Sequence, residues 1–402
     1  MTYNVFYFER LTPEHRLRLA VTDAGLEWDP RKAGEVLVDL RKAGVDAVPN
    51  FTPIRTADYF GGFDYLPLGG RSHATVILCN EVGQWLTYQS DRFGFNNHDS
   101  IHDNPRVKMA LIGDSYVQGY CVPREHTIGG QLNKNGFHTI NLGMSGNGFV
   151  SYVATFMEYV RPLKIKTTIL VWFYNDLDDT QREYQHANLK YYVDNTNTKL
   201  LKMKQNQIDA RLDQLITLNP YQSEETSQES VRFKEENINW QAYIRGLVTL
   251  SGIRSSLQSA LGTRFRFTRK AEWNEQSSAS FSIMKKSLRK IADTAESWGG
   301  QVIVVTLPPY GGNTPQFAMQ ISAMRKTFKG KKNIMISDFE PIYKKYGKER
   351  LYALSLNGTH FNEYGYCLFA KHVAGLISRL GKQETSSQSF SDCQTEFRVA
   401  FK

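Results

Sequence analysis

Residues 109–120 read MALIGDSYVQGY: four apolar residues, then Gly113-Asp114-Ser115, then a polar stretch compatible with a helix. An apolar run of this kind suits a strand buried on both faces of a parallel sheet. Ser115 therefore falls where a strand gives way to a helix, with its backbone N–H free at a helix start, a place that favours an anion. The pattern recurs along the chain. RVKMALIG (106–113), FHTINLG (137–143), KTTILVWFY (166–174), GQVIVVTLP (300–308) and KNIMISDF (332–339) are apolar runs rich in β-branched residues. Amphipathic helices lie between and after them. FSIMKKSLRKIADTAESWGG (281–300) sets Phe281, Met284, Leu288, Ile291, Ala295 and Trp298 on one stripe and ends in glycines, and EYGYCLFAKHVAGLISRLG (363–381) closes the series. The alternation predicts a doubly wound α/β domain over 106–380, with ligands at the carboxyl ends of its strands.

Outside this series, residues 1–105 read as a small lead-in. GEVLVDLRKAG (34–44) predicts a helix with Val36, Leu37 and Leu40 on one face and Gly44 as its stop, and residues 51–105 read as loops and short strands. The series is interrupted over 181–275 by a polar, mixed-charge helical insertion. It leaves the sheet just after a strand's carboxyl end, which fits a lid over the site as well as a solvated spacer. The composition of the tail, 381–402, need not fold.

With 402 residues, 41% hydrophobic and 22% charged, the chain has the make-up of a soluble globular protein. A net charge of +9 biases it toward anionic partners without naming one. The basic cluster RFRFTRK (264–270) reads as a solvated helix end, since no nucleic-acid module accompanies it, and no nucleic-acid partner is expected. Cys79, Cys121, Cys367 and Cys393 lack zinc-site spacing and read as buried or incidental thiols. The amino terminus shows no signal architecture, and the longest apolar run, TTILVWFY, is far below the roughly 20 residues that span a bilayer. The expected setting is cytoplasmic; oligomeric state is not legible.

Three further stretches fall at the predicted edge that holds Ser115. NLGMSGNGF (141–149) ends the second strand and offers Gly146, whose backbone amide can approach a ligand closely. VWFYNDLDD (171–179) ends the third and offers the side-chain amide of Asn175. LNGTHFNEYGY (356–366) places His360 in a turn before the final helix, where it would be the base that a nucleophilic Ser115 requires.

In these four blocks the chain resembles the SGNH or GDSL hydrolases, over roughly 106–180 and 300–380. IGDSYVQG carries Ser115 as nucleophile, NLGMSGNG carries Gly146 and FYND carries Asn175 as oxyanion donors, and NGTHFNEYG carries His360 as base. The resemblance implies a flavodoxin-like three-layer α/β/α fold and ester hydrolysis or acyl transfer through an acyl-serine, with no metal or cofactor. SDRFGFNN (90–97) ahead of the first block is similar to members linked to carbohydrate esters, so an acylated small molecule or carbohydrate is the implied substrate. Two positions depart from the pattern. Phe173 stands where the third block has glycine, and Asn357 stands where the last block has the aspartate that orients the histidine. Asn357 is thus the expected third member of the catalytic set, without its charge. An O-acyltransferase, and a ligand-binding protein that has lost turnover, are the alternatives these residues leave open.

Overall fold

The computed structural model describes residues 13–60, 62–218, 275, 278–353, 360–380 and 393. Asn357, the RFRFTRK cluster, residues 219–274 as a whole and, Cys393 apart, the tail 381–402 lie outside the described residues. In the lead-in, the helix Ala33–Lys42 buries Val36 and Leu37 and ends just before Gly44, whose φ of +81° is the left-handed conformation that glycine adopts without strain. It packs on a three-stranded sheet of β1 (Ala47–Pro49), β2 (Thr75–Cys79) and β3 (Leu86–Gln89). β1 runs parallel to β2 and β3 antiparallel to it.

The five apolar runs become β4 (Met109–Ile112), β5 (Thr139–Asn141), β6 (Thr167–Phe173), β7 (Gln301–Leu307) and β8 (Ile334–Asp338). They form one parallel sheet in the order β5-β4-β6-β7-β8. The protein is α/β, with helices flanking a central parallel sheet in the flavodoxin-like strand order. The helix Ala279–Glu296 buries Phe281, Met284, Leu288, Ile291 and Ala295, the stripe read from the sequence. The final helix, Glu363–Arg379, is buried along most of its length. From β4 the strands are added first on one side, at β5, and then on the other, from β6 on, so the crevice outside the carboxyl ends of β4 and β6 is the place for a ligand.

The four cysteines are not incidental thiols. Cys79 pairs with Cys121 and Cys367 with Cys393, with Cα atoms 5.7 Å apart in each pair. Sequence separations of 42 and 26 carry no spacing signal, because what brings these residues together is the docking of separate elements. The lead-in sits against the parallel sheet through polar clamps as well. Asn97 donates to Asp91 and to Asn141 O, both at 2.8 Å, and its Oδ1 accepts Asn141 N–H at 2.9 Å. Within the insertion the helices Ala187–Asp194 and Gln205–Leu218 lie on the sheet domain and the lead-in, where Asp209 accepts from the Ser72 N–H and hydroxyl at 2.9 and 2.5 Å.

Candidate active site

Ser115 opens the short helix Ser115–Gln118 at the carboxyl end of β4. Asp114 caps it, accepting the Tyr116 N–H at 3.0 Å. The loop after β5 is drawn against this helix. Gly143 approaches so closely that a Cβ there would stand 2.5 Å from Gln118 N. The Gln118 amide oxygen takes both the N–H and the hydroxyl of Ser145, at 2.9 and 2.5 Å, and its NH2 donates to Asn50 and Tyr88 of the lead-in at 2.7 and 3.0 Å. Gln118 thus ties the Ser115 helix, the Gly146 loop and the lead-in together.

His360 is buried and lies on the Ser115 side chain: Ser115 Oγ is 2.8 Å from Nε2. Its position is fixed by backbone, since Tyr352 and Phe361 form an antiparallel bridge and Ala353 N–H donates to His360 O at 3.2 Å. The imidazole is held between two rings, with centroids 4.9 Å from Tyr116 and 4.6 Å from Tyr120. Its other nitrogen faces a carboxylate that the sequence reading missed. Glu81, in the loop between β2 and β3, accepts from Nδ1 through Oε1 at 2.9 Å and Oε2 at 3.0 Å. An ionised carboxylate only accepts, so Nδ1 carries the proton and Nε2 keeps its lone pair for the Ser115 hydroxyl. Serine, imidazole and carboxylate in this arrangement can pass a proton from Oγ to a charge-compensated imidazolium.

The three expected oxyanion donors are at the ends of neighbouring strands. Among the described residues neither the Ser115 N–H nor the Gly146 N–H is taken by a hydrogen bond. Gly146 has φ of +72°, in the left-handed region, and open space where a Cβ would be. Asn175 directly precedes the helix Asp176–Glu183; its NH2 donates to Asp179 at 3.2 Å, which leaves its second N–H available. Phe173 is half-buried against Tyr116 with ring centroids 4.8 Å apart, and exposed Tyr174 follows it. Asp338 and Glu363, the other carboxylates near the last block, do not serve His360 in this way: Asp338 is engaged by Thr306, Asn313 and the Glu340 N–H, and Glu363 starts the final helix.

Behind the serine lies a layer of buried carboxyls. Burial pushes Asp114 up to about 6, against the Tyr116 N–H, which favours its charged form. Burial likewise raises Asp179 to about 6, with Arg182 opposing, and Glu183 to about 7. Asp176 is raised well above the usual carboxylate range by burial and by the nearby Asp114 charge. Glu183 is structural, accepting the N–H groups of Gly148, Val150 and Ser151 at the start of the helix Phe149–Thr155. Among the described residues no group of three or more His, Cys, Asp or Glu side chains is arranged to hold a metal ion. A cavity of about 330 Å³ lies at the amino ends of β4 and β6, lined by Lys108, Met109, Lys166 and Thr167, at the opposite edge of the sheet from Ser115.

No family model and no curated protein matches the chain. Among solved structures it is similar to one described as a lipolytic protein of the G-D-S-L family from Desulfitobacterium hafniense DCB-2, with a TM-score of 0.36 and 12% identity, covering 67% of this chain and 99% of that one. It is also similar to LAE5, described as an alpha/beta hydrolase enzyme from the metagenome of Lake Arreo, Spain, with a TM-score of 0.36 and 13% identity over 68% of this chain and 96% of that one. At these TM-scores neither likeness bears on the chemistry, which rests on the geometry above.

Proposed function

We propose that the protein is a serine hydrolase that cleaves O-acyl esters through an acyl-serine. The observation that carries this reading is the hydrogen-bonded chain from Ser115 Oγ to His360 at 2.8 Å and from His360 to Glu81 at 2.9 Å. Ser115 attacks the ester carbonyl as His360 takes its proton at Nε2. The Ser115 and Gly146 amides and the Asn175 side chain receive the oxyanion. His360 then gives the proton to the departing alcohol, and a water activated by the same imidazole releases the acyl group. Glu81 fills the role that the family pattern would assign to Asn357.

The proposed substrate is an O-acyl, in particular O-acetyl, ester of a carbohydrate. Phe173 and exposed Tyr174, directly before Asn175, support this by offering aromatic surface beside the oxyanion donors. The two disulfides support an oxidising place of work rather than the cytoplasm expected from the sequence. No helix among the described residues is long and apolar enough to cross a membrane.

A fluorophosphonate probe followed by peptide mass spectrometry tests the reading. Ser115 is the expected labelled residue, and Ser115→Ala should abolish p-nitrophenyl acetate turnover while the melting temperature stays nearly unchanged. An alanine variant that keeps most of the activity refutes it. Acetate release from acetylated oligosaccharides, compared with p-nitrophenyl acetate, tests the substrate class.

A further inference from the structure

The carboxylate that faces His360 comes from a different sheet from the serine, which raises the question of what holds the two in register. Along the chain, Glu81 reaches Ser115 only through β3 and the whole segment 90–114. The Cys79–Cys121 disulfide provides a shorter path. From Ser115 to Cys121 is the nucleophile helix and its exit, and from Cys79 to Glu81 is one intervening residue, Asn80. The disulfide and the hydrogen bonds Glu81–His360–Ser115 close a ring around the imidazole.

The residues next to the disulfide belong to the same ring. Tyr120, beside Cys121, lays its face 4.6 Å from the imidazole centroid, and Tyr366 of the final helix holds the Tyr120 carbonyl through its hydroxyl at 3.1 Å. Cys121 has φ of +63°, a left-handed conformation that a residue with a Cβ keeps only when its surroundings hold it there. On the far side the Glu81 loop is fixed to residues 27–29: Asn80 donates to Asp29 O at 3.0 Å and Gln84 to Glu27 O at 3.0 Å, while Asp29 N–H donates to Gly83 O at 2.7 Å. Those contacts orient the loop within the lead-in. They do not connect it to the nucleophile helix.

We infer that Cys79 and Cys121 are positioning residues for the catalytic set, their disulfide holding Glu81 on His360. The inference deepens the proposed function and rests on it. Opening the bond with a dithiol is a balanced two-electron exchange: the dithiol closes to its own disulfide, and Cys79 and Cys121 take up its two protons as thiols. The Glu81 loop then loses its covalent link to the Ser115 helix and keeps only the indirect one that Gln118 makes through Asn50 and Tyr88, and a shift of about 1 Å between reacting groups is worth about 100-fold in rate.

The test uses the Cys79→Ser/Cys121→Ser double variant and dithiothreitol-treated wild type, with alkylation and mass spectrometry to count the thiols. Expected is a fall in kcat of about 10- to 100-fold with little change in KM. Cys367→Ser/Cys393→Ser, which removes the other disulfide, should lower stability and leave kcat in place. In a Glu81→Gln background the loss of Cys79 and Cys121 should cost little more, because an effect exerted through Glu81 cannot be lost twice. Equal losses with and without Glu81, or an unchanged kcat in the double variant, would overturn the inference. An activity-free readout separates this result from the fate of the hydrolase reading. The far-downfield proton NMR signal of His360 Nδ1–H on Glu81 should disappear when the disulfide is removed, and its persistence would overturn the inference whatever the enzyme turns over.

Discussion

Replacing Glu81 by glutamine keeps the size of the side chain and an amide oxygen able to accept from His360 Nδ1, and removes only the charge. The magnitude follows from the geometry. Both carboxylate oxygens lie within 3.0 Å of Nδ1, so the charge centres of carboxylate and imidazolium are close. At a separation of about 4 Å and an effective dielectric constant near 20, opposite unit charges attract by about 4 kcal/mol. That attraction exists only while the imidazole holds the serine proton, so it lowers the barrier rather than the ground state, and its loss is about 10³-fold in kcat. Glutamine can also turn its NH2 toward Nδ1 and favour the wrong tautomer, which adds to the loss and brings it toward the 10⁴-fold of the comparable change in a serine protease. The assay is p-nitrophenyl acetate hydrolysis at saturating substrate, with Glu81→Asp as a partial rescue and thermal unfolding as a check on folding. A Glu81→Gln enzyme within tenfold of wild type, alongside an inactive Ser115→Ala, would mean that the carboxylate does not compensate the imidazolium.

Asn357→Asp, which the family pattern alone would predict to raise activity, should change kcat by less than about threefold, since the Nδ1 position already has its carboxylate; a tenfold gain measured in the same assay would show Glu81 to be a poor substitute. Asn175→Ala should cost about 10² to 10³ in kcat with KM little changed, as expected for a donor used at the oxyanion, and a loss confined to KM would move Asn175 to substrate binding. Stability should fall as pH is raised from about 5 to 8. Asp114, Asp179 and Glu183 have folded pKa values raised by burial above ordinary values of 3.8, 3.8 and 4.5, to about 6, 6 and 7. Their protonated forms favour the folded state at low pH, and that advantage is lost as pH rises through 6 to 7. For Asp114 alone the whole loss, from below its ordinary value to above its folded one, is about 3 kcal/mol, of which about half falls above pH 5, and a melting temperature that climbs steadily from pH 5 to 8 would contradict it.

The parts of the site that sequence reveals share one property: each sits at the end of an element whose pattern is local. Ser115, Gly146 and Asn175 follow apolar runs that become β4, β5 and β6, and His360 precedes the amphipathic run that becomes the final helix. Parallel strands in one sheet bring their carboxyl ends to one edge, so finding the strands suffices to bring these residues together. Glu81 has no such property. It lies 279 residues from His360, in a turn whose own sequence is unremarkable, and it reaches the imidazole because a second sheet docks on the first. That docking is made by single pairings between distant residues, such as Asn50 with Gln118, Asn97 with Asn141 and Cys79 with Cys121. None of these pairings repeats, so none leaves a period to read.

The source of the acid also explains how a neutral residue can stand three positions before the histidine. What the chemistry requires at Nδ1 is a fixed negative charge that accepts a hydrogen bond, and the chain segment that supplies it is immaterial. A carboxylate in the last block would be held by the same short stretch of chain as the histidine. A carboxylate on the lead-in must be held by the interface between two sheets. This places a stronger demand on that interface than packing alone would. Gln118 shows how the demand is met, since one amide joins the Ser115 helix to the Gly146 loop through Ser145 and to the lead-in through Asn50 and Tyr88. The lead-in is therefore part of the proposed catalytic unit, since the carboxylate that meets the imidazole comes from it.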